Sequence, residues 1–229
     1  KLGFAACERN SAATEGINVL IEKRNALGQW EYGIMCIEYT EFEMFGIKNA
    51  SASINSLKTD FPANTNILYV DLASAEKIGS CKDITCLPGI VLNLKKTLPF
   101  VDHFGIPHSV SGGRLECTMQ SIADNFVNAY PSRRYKSIEE KLDSFIVYNE
   151  RKRVTSSAKR KRKHNDKYLN QTPDGSLLDI IRNATDILSD CNINIPKIGD
   201  NSKYIHSRPP FLILLHPALG PMWEVTRQK

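Results

Sequence analysis

The sequence predicts an α/β fold with a mixed sheet. Segments with the alternating or continuous apolar pattern of β-strands are interspersed with segments whose apolar residues repeat every 3.6 positions, as in helices. Strands that alternate with helices are typical of a sheet covered by helices. The chain has 229 residues, of which 41% are apolar and 24% charged, so it is globular and could form one large domain or two small ones.

The first predicted elements are a hairpin, a buried strand and a short helix. Residues 18–23 have a strand pattern, residues 25–28 form a turn, and residues 30–39 return as the second strand. Asn66–Leu72 has the apolar run of a buried strand. Ala73–Gly79 is predicted to be a helix that ends at its glycine.

Two further helices are predicted from apolar periodicity, over Leu115–Ala129 and Ser176–Leu188. The second follows Thr172, Pro173, Asp174 and Gly175, which together form a helix-start signal. Short apolar runs predict three more strands, at residues 89–93, 144–148 and 212–215.

The six cysteines are scattered along the chain. Cys81 and Cys86 form the one close pair, and no second pair or histidine cluster accompanies it. We therefore expect free thiols in a reducing compartment, with a zinc site or a disulfide as the alternative. No apolar run reaches the roughly 18 residues that a membrane-spanning helix needs.

Positive charge is concentrated in residues 151–167, which hold nine Lys and Arg against one Asp. That segment carries +8 in a chain of net charge +5, so the remainder carries −3. Such a run forms a solvated loop, a nucleic-acid or nuclear-import motif, or a site for another anion. Residues 149–167 contain no aromatic side chain on which a base could stack, which disfavours nucleic acid. The hydroxyls of Thr155–Ser157 beside cationic side chains favour phosphate, and Arg160–Lys163 is expected to be a solvated extension.

Polar side chains also mark the ends of predicted strands. Glu38 comes at the end of the hairpin, where a carboxylate of an α/β sheet can face a ligand crevice and accept hydrogen bonds from sugar hydroxyls. An exposed strand-end glutamate is the simpler alternative. Asn64 and Asn66 place amide groups at the start of a predicted strand, where they could bind a ligand. Asparagine also stabilises turns, so a purely structural role in the turn fits the sequence equally well. Lys95 and Lys96 follow a predicted strand.

Five segments resemble, in order, motifs of the UDP-sugar pyrophosphorylase family. They are IEYTEF (37–42), ANTNILYVDL (63–72), LNLKKT (92–97), GGRLECTM (112–119) and NERKRVTSSAKRKRK (149–163). Longer stretches such as RLECTMQSIADNF and PPFLILLHPALGPMWEV are most similar to the plastid UDP-glucose branch, which has C-terminal hexapeptide repeats. Each motif alone is weak, whereas five in order across nearly the whole chain are specific.

The resemblance implies a Rossmann-like, GT-A-like nucleotidyltransferase domain. Its reaction joins UTP and glucose 1-phosphate to give UDP-glucose and pyrophosphate, usually with Mg²⁺, and depends on positioning and charge neutralisation. A soluble plastid protein without a membrane partner is implied. The oligomeric state is left open.

The resemblance also implies roles for single residues. Glu38 would hold sugar hydroxyls, and Asn64 and Asn66 would hold the sugar and its phosphate. Lys95 or Lys96 would lie near the phosphates, and Glu116 is a further substrate-binding candidate.

Catalysis is expected from Lys159, which would contact the phosphates at the reacting centre, with Arg153 as the second candidate. No residue of the chain is assigned as a metal ligand.

The family's glycine-rich loop, G-G-x-G-T-x-x-G, and its uracil-reading Gln and Gly have no counterpart in this sequence. We therefore expect residues 1–208 to form the sugar-binding half of a catalytic domain. Residues 209–229 would hold its last strand and the start of a connection to a β-helix. The chain is predicted to be an internal piece of a longer polypeptide that binds UTP poorly and is inactive or nearly so alone.

Two alternatives stay open. The sugar could be N-acetylglucosamine or another sugar of a UDP-sugar pyrophosphorylase, because Glu38 and the two asparagines do not separate these. In the other alternative the chain is a non-catalytic module that binds nucleic acid through residues 151–163.

Overall fold

The computed structural model describes residues 1–10, 13–47, 60–82, 90–117, 119–134, 142–196, 198–199, 201–204, 212–213, 215–219 and 223–228. The chain divides into two compact units, Lys1–Tyr148 and Asn149–Lys229. The domain boundary predicted at residues 208 and 209 stays a prediction, because residues 205–211 lie outside the described ranges.

Eight strands are described in the first unit. They are β1 (Leu2–Cys7), β2 (Ile17–Arg24), β3 (Trp30–Ile37), β4 (Ala63–Val70), β5 (Ile90–Val101), β6 (Pro107–Cys117), β7 (Asn128–Tyr130) and β8 (Ser144–Tyr148). Six of them form one sheet in the order β7-β3-β2-β4-β1-β8, and β5 pairs with β6 in a second sheet. In the larger sheet β1 and β8 run parallel and the other described pairs are antiparallel. With helix α1 (Leu72–Gly79), this confirms the predicted mixed α/β class.

The core of this unit lies on the two faces of the sheet. On one face, Leu2 and Phe4 of β1 are fully buried beside Ile122 and Ala123 of the 3₁₀ helix Met119–Asn125. A second cluster packs β2 and β3 against the turn that follows β3, and it consists of Ile17, Val19, Ile37 and Phe42. The second cluster contains Ile37, the last residue of β3, and Ile17, which pairs with Ala63 of β4, so it fixes the backbone beside Glu38 and Asn64.

The predicted helix over Leu115–Ala129 is wrong. Residues up to Cys117 belong to β6, which pairs with β5, and only the 3₁₀ helix Met119–Asn125 follows. The apolar period was a real signal for part of the segment, because Ile122, Ala123 and Phe126 are buried. Pairing with β5, the preceding strand of the same hairpin, outweighs helical periodicity for the residues before the 3₁₀ helix.

The second unit contains α2 (Arg151–Val154), α3 (Pro173–Asp190) and α4 (Trp223–Gln228). The helix predicted over Ser176–Leu188 is confirmed within α3. Its start signal is confirmed too: Thr172 is the N-cap, its hydroxyl accepts from the Gly175 N–H at 3.2 Å, and Pro173 is the first helical residue. The strand predicted at residues 212–215 is wrong, because Leu212, Ile213 and Leu215 lie in no strand. A 3₁₀ helix, Pro217–Leu219, comes next.

All cysteines within the described ranges are free thiols, namely Cys7, Cys36, Cys81, Cys117 and Cys191. Cys86 lies outside the described residues. Among the helices in the described part of the chain, none has both the length and the hydropathy to span a bilayer.

Candidate functional site

Glu38 directly follows the last residue of β3, which confirms its predicted strand-end position. Its Oε1 accepts a hydrogen bond of 2.5 Å from Nε2 of Gln120 and lies 3.9 Å from Sγ of Cys36. Its backbone N–H donates to Oε2 of Glu41 at 3.1 Å. Neighbouring side chains therefore hold the carboxylate in place.

Asn64 and Asn66 lie on β4 where its register with β1 shifts. Nδ2 of Asn64 donates to Oδ1 of Asn66 at 2.8 Å, and the Asn66 N–H returns a 3.3 Å bond to Oδ1 of Asn64. Asn66 has a φ of 61°, in the left-handed region that asparagine tolerates. Asn64 is buried and Asn66 is exposed, so the pair joins the core to the surface.

Gly16 and Cys36 connect the glutamate to the asparagines. The Asn64 N–H donates to the carbonyl of Gly16 at 2.9 Å. A Cβ on Gly16 would lie 3.0 Å from Sγ of Cys36 and 3.4 Å from Oε1 of Glu38. The Asn64 side chain also lies close enough to the Cys36 thiol to lower its pKa. The structure thus brings Glu38 and Asn64 to one thiol, and Asn66 joins them through its hydrogen bonds with Asn64.

Burial, and then the nearby Glu38 carboxylate, raise the pKa of the Cys36 thiol well above its usual range. The thiol therefore stays protonated at neutral pH. As a protonated group it can donate weakly to the glutamate, and it is not a nucleophile.

We call these six residues the carboxylate–amide cluster: Gly16, Cys36, Glu38, Asn64, Asn66 and Gln120. Sequence analysis missed Gly16, Cys36 and Gln120. Gln120 lies within the stretch RLECTMQSIADNF, and that resemblance was the one available signal for it. A carboxylate accepts hydrogen bonds and an amide both donates and accepts, so the cluster suits a ligand rich in hydroxyl groups.

The other substrate-binding candidates lie on the β5–β6 sheet. Glu116 is on β6, where Oε1 lies 3.2 Å from Nη2 of Arg114. Lys95 and Lys96 are on β5 at a register irregularity, and Lys96 pairs with Gly112. The structure therefore does not put these three residues on the sheet that carries Glu38 and Asn64.

Lys159 and Arg153 lie in the second unit. The guanidinium of Arg153, on α2, is 3.7 Å from the Glu150 carboxylate and partly exposed. The N–H groups of Lys159 and Arg160 both donate to the carbonyl of Gln171, at 2.9 and 3.0 Å. These bonds fasten the middle of the basic run to the residues just before α3.

Arg160–Lys163 are all exposed, as predicted for a solvated extension, but Arg160 is also held by its own loop. Its guanidinium donates to the carbonyls of Asn170 and Tyr168, at 3.1 and 3.0 Å, and to the Asp166 carboxylate at 2.6 Å. Arg160 therefore closes its own loop, because a planar guanidinium can serve several acceptors at once.

The hydroxyl of Ser156, one of the predicted phosphate donors, instead donates to Asp179 of α3 at 2.6 Å. Lys152 likewise bridges Glu150 and Asp186. A groove of about 670 Å³ beside these groups is lined by as many acidic as basic side chains: Lys152, Arg153, Arg182, Glu150, Asp186 and Asp190. Acidic side chains of the same unit thus neutralise much of the positive charge at the start of the basic run.

Among the residues that the structure describes, no group of three or more His, Cys, Asp or Glu side chains could hold a metal ion. Mg²⁺ stays a prediction from the resemblance, and no chemical step is assigned to it.

The fold and the carboxylate–amide cluster together define a mixed α/β protein with a polar site at the ends of its sheet strands. All 229 residues align, with 64% identity, to UTP--glucose-1-phosphate uridylyltransferase 3, chloroplastic, of Arabidopsis thaliana. The chain spans 26% of the length of that relative. No family model matches the chain. The alignment confirms the resemblance indicated by the five ordered motifs.

Proposed function

We propose that this chain is the sugar-binding part of a UTP–glucose-1-phosphate uridylyltransferase with a GT-A-like catalytic domain in a plastid. The observation that supports this best is the convergence of Glu38 and Asn64 around Cys36, in a chain 64% identical to a protein of that name. The enzyme would release pyrophosphate from UTP as the phosphate oxygen of glucose 1-phosphate attacks the α-phosphorus in line.

In this proposal the protein positions the two substrates and supplies positive charge near their phosphates. Glu38 accepts hydrogen bonds from sugar hydroxyls, while Asn64 and Asn66 hold the sugar and its phosphate. Holding the attacking oxygen in line with the leaving pyrophosphate converts an encounter of two substrates into a step within one complex.

Lys159, with Arg153 in a supporting role, would neutralise negative charge that develops on the phosphates. Lys95, Lys96 and Glu116 are further contacts proposed for substrate.

The test is pyrophosphorolysis by the complete polypeptide with a panel of UDP-sugars. UDP-glucose should be consumed with the highest kcat/KM; a preference for UDP-N-acetylglucosamine would replace glucose by that sugar. Glu38→Gln should lower kcat/KM by roughly tenfold or more, as expected when a bond to a charged acceptor is weakened. If no UDP-sugar is consumed, the proposal fails.

Lys159→Ala should lower kcat by about a hundredfold or more, the scale seen when one transition-state donor is removed. Lys161→Ala is the matched control, since Lys161 is an exposed lysine of the same run with no role in the proposal. An equal decrease in kcat for both variants would indicate that the positive charge of the run acts as a whole, and it would reject a specific contact of Lys159 with the phosphates. Tight oligonucleotide binding with a steep salt dependence would favour the nucleic-acid alternative.

A further inference from the structure

Gln120 makes the shortest side-chain hydrogen bond of the carboxylate–amide cluster. Its Nε2 lies 2.5 Å from Oε1 of Glu38, a residue 82 positions earlier in the chain. A carboxylate can only accept, so the amide nitrogen is the donor in this bond. Gln120 is only 7% exposed.

The packing of its helix fixes Gln120. The 3₁₀ helix Met119–Asn125 buries Ile122 and Ala123 against Leu2 and Phe4 of β1, which lies between β4 and β8 in the sheet. The amide therefore projects from a rigid base. Side chains that bind a ligand need such support, because small rotations of a carboxylate move its oxygens away from their partners.

The contact of the Cys36 thiol with the same oxygen is much weaker. Sγ of Cys36 is 3.9 Å from Oε1 of Glu38, and a thiol is a poor donor. The backbone bond from Glu38 to Glu41 fixes the main chain and leaves the side-chain torsions unaffected. Within the cluster, the hydrogen bond from Gln120 therefore restrains this carboxylate oxygen more strongly than the contact with Cys36 does.

We infer that Gln120 is a positioning residue for the sugar: it holds the Glu38 carboxylate in the orientation in which that group accepts the hydroxyls of a sugar 1-phosphate. The inference rests on the proposed function for the identity of the ligand. Gln120 itself acts through Glu38 and need not touch the substrate.

Steady-state kinetics of Gln120→Met test this inference in the complete polypeptide. Methionine keeps the length of the side chain and removes the donor. KM for glucose 1-phosphate should rise roughly ten- to a hundredfold, while kcat and KM for UTP stay within about twofold. An unchanged KM for glucose 1-phosphate overturns the inference. An increase in KM for both glucose 1-phosphate and UTP, together with a lowered Tm, also overturns the inference. Such a combined effect is expected when a residue supports the fold as a whole.

The exchange variant Glu38→Gln with Gln120→Glu provides a second test if the methionine variant folds poorly. It restores an amide-to-carboxylate bond between the two positions with the roles reversed, so Tm should return to that of the parent. KM for glucose 1-phosphate should stay raised, because the carboxylate now lies in the wrong place. Recovery of that KM would overturn the inference.

A crystal structure of Gln120→Met without substrate separates failure of the inference from failure of the proposed function. If Gln120 holds the Glu38 carboxylate, Oε1 of Glu38 should leave its place beside Sγ of Cys36 in the variant, whatever reaction the protein catalyses. Lys161→Ala is the control, and Glu38 should keep its orientation there. A Glu38 carboxylate that keeps its orientation in Gln120→Met overturns the positioning role even if UDP-glucose is the correct substrate.

Discussion

Asn64 donates a 2.8 Å hydrogen bond from Nδ2 to Oδ1 of Asn66, and Asn66 holds a backbone φ of 61°. The second asparagine therefore does two separate things. It occupies a left-handed position that most residues avoid, and it orients the buried amide of the first. The two contributions can be separated by substitution.

Asn66→Ala should destabilise the first unit by about 2 kcal/mol, because alanine at positive φ is strained and the amide bond is lost. Asn66→Gly relieves the strain and should cost about 1 kcal/mol or less. Urea denaturation measures both. In the complete polypeptide the two variants should raise KM for glucose 1-phosphate alike, because both lack the amide. Equal destabilisation by alanine and glycine would show that backbone strain is not a factor at this position.

Gly16→Ala should destabilise the protein by about 1–3 kcal/mol, since an added Cβ would lie 3.0 Å from the Ile37 carbonyl oxygen and from Sγ of Cys36. The carbonyl belongs to the sheet and cannot move freely. Gly79→Ala is the matched control, because a Cβ there meets nothing within 4 Å, and it should be neutral or stabilise by up to about 1 kcal/mol. Thermal unfolding compares the two, and similar losses in both would contradict the close approach at Gly16.

Thr172→Ala should destabilise the second unit by about 1–2 kcal/mol. The fully buried hydroxyl caps α3 through Gly175 and donates to the Leu169 carbonyl at 2.6 Å, so its removal leaves two buried backbone groups with one partner fewer. Thr172→Ser keeps the hydroxyl and should cost less than half as much. Far-ultraviolet circular dichroism during urea unfolding reports the loss, and a serine variant as unstable as alanine would show that the methyl group is the important part.

Glu22 should make the first unit sensitive to acid. Hydrogen bonds from Arg133, and then from the Tyr32 hydroxyl, hold the pKa of Glu22 below its ordinary value of 4.5. The folded state therefore favours the ionised carboxylate, and this stabilisation is fully present above pH 4.5 and disappears as the pH falls through the folded pKa. The stability difference between the parent and Glu22→Gln, followed by denaturation from neutral to acid pH, should shrink below pH 4.5. A difference that does not depend on pH would contradict this assignment.

The sequence by itself determined the elements whose signals are local. The hairpin of β2 and β3, helix α1 and helix α3 follow from apolar patterns, a turn and a threonine cap, and none of them needs a distant partner to form its signal. The motif order also indicated Glu38, Asn64 and Asn66 as candidate site residues, and their roles stay predictions.

The features that depend on contacts between separate segments came from the tertiary structure. Pairing with β5 in a hairpin made the residues up to Cys117 a strand, where the apolar periodicity of the segment itself indicated a helix. The contact of Gln120 with Glu38 and the loop closed by Arg160 have no local pattern, because a hydrogen bond depends on where two atoms meet in space. Sequence thus determined which groups are available for the site, and long-range packing decided which of them meet.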